Sequence, residues 1–138
     1  MAKAQKIIVR TDKAPKPVGM YSQAVRTSGG ELLFIAGTVA VDMSGNLVGQ
    51  GDIKAQTRQV FQNIGGVLAG VGATHANVVQ LTTYVVGRES VQGFLDARTD
   101  LFPKIYSGGE YPPNTLLVVN GLARPEWLIE VQAIAAIG

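Results

Sequence analysis

Apolar positions along this chain alternate between a two-residue and a three-to-four-residue spacing, and the switches predict a β-β-β-α-β-α-β-β order. Lys6 to Arg10 is β-rich. Ala24 to Ser28 and Glu31 to Gly37 flank Ser28-Gly29-Gly30, which predicts a hairpin. Asp52 is a good N-cap for a helix with Ile53, Thr57, Val60, Ile64, Val67, Leu68 and Val71 on one stripe, closed by Gly72. Glycines at 65, 66 and 70 inside it each cost roughly 1 kcal/mol against alanine, so a sheet is expected to pack closely on that face.

Val78 to Val86 is a β-branched run. Ser90 is expected to cap a second helix, with Val91, Phe94, Leu95, Leu101 and Phe102 as its stripe and Pro103 as its stop. Thr115 to Asn120 and Trp127 to Ile137 complete the strands. In the last of them Trp127, Ile129, Val131, Ala133 and Ala135 share one face, and Glu130 and Gln132 point to the other. The pattern predicts an α+β fold, a mixed sheet carrying both helices on one face. The opposite sheet face then needs a cover, and self-association is the economical one.

Composition narrows the chemistry. With 138 residues, 46% of them hydrophobic, one domain over residues 1–138 is expected. Cysteine is absent, which removes thiolate nucleophiles, disulfides and zinc-thiolate sites. The basic start reaches only Ile7-Ile8-Val9 before Arg10, too short for a secretory segment, and no stretch spans a bilayer, so cytoplasm is the default expectation. Lys3, Lys6, Arg10, Lys13 and Lys16 hold five of the twelve cations. At net charge +2 and without interleaved aromatics they read as a solvated terminus, not a nucleic-acid surface.

Two residues stand out as candidate chemistry. Tyr21 follows Pro15-Lys16-Pro17-Val18-Gly19, where two prolines and a glycine stiffen its approach. Glu130 is a carboxylate in mid-strand. Each also has a structural reading: a core ring with a satisfied hydroxyl for Tyr21, and an interface ion pair for Glu130. Asn114 and Thr115, after Pro112-Pro113, read as a turn entering a strand and as lining for a site. His75, the sole histidine, has no partner histidine for a metal and no Gly-x-Ser-x-Gly elbow to serve, so it reads as a loop residue. Neither Gly29-Gly30 nor Gly65-Gly66 fits a phosphate loop.

Four stretches in order, Pro17-Val18-Gly19-Met20-Tyr21-Ser22-Gln23-Ala24, Leu33-Phe34-Ile35-Ala36-Gly37, Gln56-Thr57-Arg58-Gln59-Val60-Phe61-Gln62-Asn63-Ile64 and Ile129-Glu130-Val131-Gln132-Ala133-Ile134-Ala135, resemble the reactive intermediate deaminase (RidA or YjgF) family over nearly the whole chain. The resemblance implies a chorismate-mutase-like fold with a six-stranded mixed sheet, a homotrimer with clefts at subunit boundaries, and hydrolysis of enamines or imines to an oxo acid and ammonia without a cofactor. By position it implies Tyr21 and Glu130 as catalytic residues, Glu130 holding water, and Gly37 as a backbone donor. The family's substrate-carboxylate arginine falls at Asn114, an amide that lacks charge and fork geometry. Arg98 is the first candidate to replace it and Arg124 the second. Alternatives are a ligand-binding or protective relative that has lost the chemistry, and the RNA-cleaving or translation-inhibiting activity attributed to relatives.

Overall fold

The computed structural model describes residues 2–138. Its eight main elements are β1 (Gln5–Val9), β2 (Ala24–Ser28), β3 (Glu31–Thr38), α1 (Ile53–Ala69), β4 (Val78–Val86), α2 (Ser90–Ile105), β5 (Asn114–Val119) and β6 (Ile129–Ile137). The six strands are hydrogen-bonded as a β1-β2 antiparallel ribbon and a four-stranded sheet of order β3-β6-β4-β5. That sheet is mixed, because β4 and β5 run parallel while β6 is antiparallel to both β3 and β4.

Both helices lie on one face of it. Ile35, Leu81, Val85, Ile129, Val131 and Ala133 supply the sheet side of the core, and Val60, Phe61, Ile64, Leu68, Phe94 and Phe102 the helix side, all of them buried. Each large apolar side chain so buried contributes about 1.5–3 kcal/mol. The other face is bare, with Phe34 72% and Leu32 52% exposed. The alternation in β6 falls as its sequence requires, with Ile129, Val131, Ala133 and Ala135 inward.

Five local expectations are corrected. β2 and β3 do not form a hairpin, since β2 pairs with β1 and β3 with β6. Gly29 and Gly30 do take positive φ, but Gly30 N–H donates to Ala2 C=O, so the N-terminal segment claims the donor at the turn. Ser90 is the first helical residue and donates to Val86 C=O, with Glu89 in the cap position.

Pro103 does not stop α2, which runs on to Ile105. A helix-interior proline costs about 3 kcal/mol, and full burial of Phe102 and Tyr106, which frame it, offsets that. The glycines of α1 do not mark the sheet contact. Gly65 makes room for the His75 imidazole, 3.0 Å from where a Cβ would stand, and Gly66 faces open space. Val67 and Val71, expected on the apolar stripe, are about half exposed.

Side-chain amides of α1 fix the loops at its ends. Gln56, fully buried, donates to Gly49 C=O and Glu126 C=O and accepts from Leu128 N–H. Asn63 donates to Val39 and Val41 C=O and accepts from Gln59. His75 is turned inward from its short 3₁₀ turn, edge-on to Tyr106 with ring centroids 5.9 Å apart, and its Nδ1 has no partner.

Replacing Gln56 with Leu leaves Glu126 C=O and Leu128 N–H without their partner, while Gly49 C=O keeps Asp52 N–H, so urea denaturation should show a loss of about 2–4 kcal/mol; a loss under 1 kcal/mol would mean that the loops do not depend on it. Burial lowers the His75 pKa from 6.5, with a hydrogen bond to the Phe61 backbone opposing. The folded state therefore binds fewer protons, and this group's stabilisation is complete above pH 6.5 and lost as pH falls towards the depressed folded value. His75→Phe should flatten that part of the stability profile below pH 6.5, and an unchanged slope would assign it to other groups.

Candidate active site

The candidate residues fall into two hollows. The first, about 330 Å³, lies on the bare face of the sheet and is lined by Gly37, Tyr84, Leu122, Glu130 and Gln132. β3 carries one extra residue here, since Ile35 pairs with Ala133 but Thr38 with Val131. This β-bulge, at Ala36-Gly37, leaves a residue out of the ladder and bends the strand. The Glu130 carboxyl stands directly over Gly37, its Cδ 2.9 Å from where a Cβ would be. Only glycine admits the acid at that spot. Tyr84, opposite Glu130 on β4, forms the neighbouring wall.

The second hollow, about 450 Å³, sits where α2, the start of β5 and the Val18-to-Tyr21 turn meet, and contains Gly19, Tyr21, Arg98, Asn114 and Thr115. Arg98 is 8% exposed, yet no carboxylate approaches it within 4 Å; Lys54–Asp96 is the sole ion pair among the described residues. Its Nε lacks a hydrogen-bond partner and its guanidinium lies 5.5 Å from the Phe94 ring centre. Burial pulls its pKa down and the Tyr21 phenol partly opposes this, but a guanidinium stays charged in water and protein alike. Gly19 again supplies the space, with Arg98 Nη2 2.8 Å from its would-be Cβ.

The two remaining groups are aimed by single hydrogen bonds. Asn114 Oδ1 accepts from the buried Thr83 hydroxyl at 2.9 Å, leaving its two N–H donors for the hollow. Tyr21 Oη accepts from Val18 N–H at 3.3 Å, so its own proton is free to donate elsewhere. Three donors, one of them charged, thus converge on a space with no acid in its lining. Such a hollow suits an anion or a carbonyl.

Gly37 and Glu130 are together, and so are Tyr21, Arg98, Asn114 and Thr115, but within one chain the two groups do not share a hollow. Thr115 lies opposite Thr82 on β4, and Glu130 opposite Tyr84, so they are two strands and one row apart, about 12 Å by sheet geometry. Arg124, the second candidate for the missing charge, is exposed on the Trp127 ring at 5.7 Å and lines neither hollow. Sequence reasoning took Gly19 only as part of a stiff approach to Tyr21 and missed the space it leaves for Arg98. It also gave no role to Gln56, Gln59 and Asn63, although their i, i+3, i+7 spacing marks one amide-bearing helix face.

The Endoribonuclease L-PSP family model matches residues 11–137. A RutC family protein of Pyrococcus horikoshii is 35% identical over 130 residues, 94% of this chain and 97% of that one. The 2-iminobutanoate/2-iminopropanoate deaminase of Mus musculus is 28% identical over 131 residues, 95% of this chain and 91% of the mouse protein. Among solved structures, YyfB of Yersinia pestis, described as a protein of unknown function of the conserved Rid family, superposes with a TM-score of 0.86 at 36% identity, covering 96% of this chain and 98% of that one. A putative endoribonuclease of Thermotoga maritima follows the same fold with a TM-score of 0.67 at 31% identity, covering 95% and 97%.

Alanine at either glycine tests the geometry directly. Crystal structures of Gly37→Ala and Gly19→Ala should show the Glu130 carboxylate and the Arg98 guanidinium displaced from their hollows. Both side chains staying in place would mean that the backbone yields instead.

Proposed function

This chain belongs to the Endoribonuclease L-PSP family, whose members include the Rid and YjgF proteins, and on that premise we propose that it is a small-molecule deaminase that hydrolyses an imine or enamine bearing a carboxylate. The observation that carries the reading is Arg98: an arginine only 8% exposed, with no acidic partner among the described residues, opening on a donor-lined hollow. Leaving such a charge unmatched is costly, and an anionic ligand is the group that would match it.

The two hollows join into one cleft if the Glu130 side of one copy meets the Tyr21 side of the next. The bare sheet face supports that assembly, since Leu32, Phe34 and Leu117 expose apolar area there that another copy would cover. Three copies, as the resemblance to the deaminase family implies, would give three such clefts, and light scattering showing a concentration-independent monomer would remove them.

In the joined cleft the ligand carboxylate rests on Arg98 and the Asn114 amide, with the Tyr21 hydroxyl donating beside it. Glu130, held over Gly37, positions a water against the C=N carbon. It takes a proton as the oxygen–carbon bond forms, and the C=N electron pair moves to nitrogen, which is protonated. The tetrahedral adduct then expels ammonia as the C=O bond forms, with Glu130 cycling its proton. Water is the sole co-reactant: imino acid plus water gives oxo acid plus ammonia.

Asn114, where the family resemblance places an arginine, moves the positive charge from a strand to a helix and so favours a ligand of different length or branching. A protein that binds carboxylates in this cleft without turning them over is the second reading, supported by that same substitution.

Ammonia release from freshly generated 2-aminoacrylate should exceed buffer. Glu130→Gln should lower kcat by about 10²-fold or more. Arg98→Met should raise KM roughly ten- to a hundredfold, the loss of one charged hydrogen-bonded contact. No release by the unaltered protein, and none gained in Asn114→Arg, would leave the deaminase reading without support; calorimetric binding of pyruvate under those conditions would favour the second.

A further inference from the structure

A third hollow, about 470 Å³, lies on a different wall of Tyr21 and is lined by the strap that links β1 to the tyrosine. Its sequence, Arg10-Thr11-Asp12-Lys13-Ala14-Pro15-Lys16-Pro17, has no regular structure, but it is folded around one side chain. Gln23 accepts from Thr11 N–H at 2.7 Å and donates to the carbonyls of Thr11, Ala14 and Pro15. Thr11 Oγ1 accepts from Lys13 N–H, and the buried Ser22 hydroxyl donates to Tyr111 C=O, fixing the base. The hollow is therefore preformed, as ligand sites usually are, and of ligand size.

Three charged residues line it: Arg10, Lys16 and Asp12. None is in an ion pair among the described residues. Two cations and one acid in the lining of a single open hollow, with Pro17 and Tyr21 beside them, ask for a particular partner. An arginine fork takes a carboxylate by two parallel contacts. A flat ring fills the space against Pro17 and Tyr21, and the Asp12 carboxylate accepts from a hydrogen-bond donor at the ligand's far end.

We propose that this hollow is a second ligand site, for a small aromatic carboxylate that also carries an amino or hydroxyl group. The site is independent of the deaminase reading and is separated from the cleft by Tyr21, which lines both. Arg10 and Lys16 hold the carboxylate, and Asp12 selects the donor-bearing ring.

Calorimetric titration of the full chain with 4-aminobenzoate tests this, with benzoate for comparison. The expected result is one site per chain and tighter binding of 4-aminobenzoate than of benzoate. Arg10→Gln/Lys16→Gln should bind at least about tenfold more weakly. Lys3→Gln/Lys13→Gln, which removes as much charge outside the lining, should bind normally. Arg98→Met should also bind normally, and Asp12→Asn should erase the preference for the amino group. The proposal is overturned by no heat from the unaltered protein up to about 10 mM, by undiminished binding in Arg10→Gln/Lys16→Gln, or by loss of binding in Arg98→Met, which would put the carboxylate in the cleft. Circular dichroism matching the parent keeps each variant's result interpretable.

Discussion

The buried Gln56 amide is the contact on which the rest of this structure depends. It is satisfied on three sides inside an apolar core, by Gly49, Glu126 and Leu128, so it joins α1 to the loop before it and to the segment that leads into β6. Asn63, two turns along the same helix, holds Val39 and Val41 just past the bulge in β3. Between them the two amides clamp the start of one strand and the end of its neighbour. Gly37 and Glu130 lie on those two strands, and their close approach is set from the opposite side of the sheet. A fully satisfied buried polar network of this kind specifies one arrangement where apolar contacts alone would tolerate several.

Much of the architecture was legible from periodicity. The β4 span agrees with its β-branched run, and the inward and outward faces of β6 follow its alternation. Asp52 caps α1 by accepting from Ala55 N–H. What failed were features decided by distant partners. The glycine turn at 29–30 carries the local signature of a hairpin, but its Gly30 N–H bonds to Ala2 C=O, a partner that no local pattern announces. Pro103 reads as a stop because its ring removes a hydrogen bond, yet two buried aromatics hold the last turn in place. His75 does sit in the connection between α1 and β4, as read, but its letter did not show that Gly65 opposite leaves room for the imidazole to turn inward.

Legibility of the candidate site followed the same division. Glu130 announces itself as a carboxylate in a strand, and Tyr21 by its stiff approach. Arg98 could be nominated only by position, because burial without a counter-charge is invisible in a string of letters. Gly37 and Gly19 do parallel work, each giving up a side chain so that a charged group can stand close to the backbone. A glycine chosen for absent volume has the same letter as one chosen for a turn, and here even its φ is unremarkable, since neither is among the positive-φ glycines.

Carrying the cation on α2 has an effect that reaches beyond the cleft. Arg98 follows Phe94 by one turn and precedes Phe102 by another, and both rings are wedged in the core against the sheet. A larger or smaller residue at a wholly interior position would tilt or slide the helix and carry the guanidinium with it, whereas a charge borne by a hydrogen-bonded strand would scarcely shift. With Arg98 as the ligand anchor we propose, selectivity would drift through mutations that never touch a ligand, with the protein interior acting as the tuning screw.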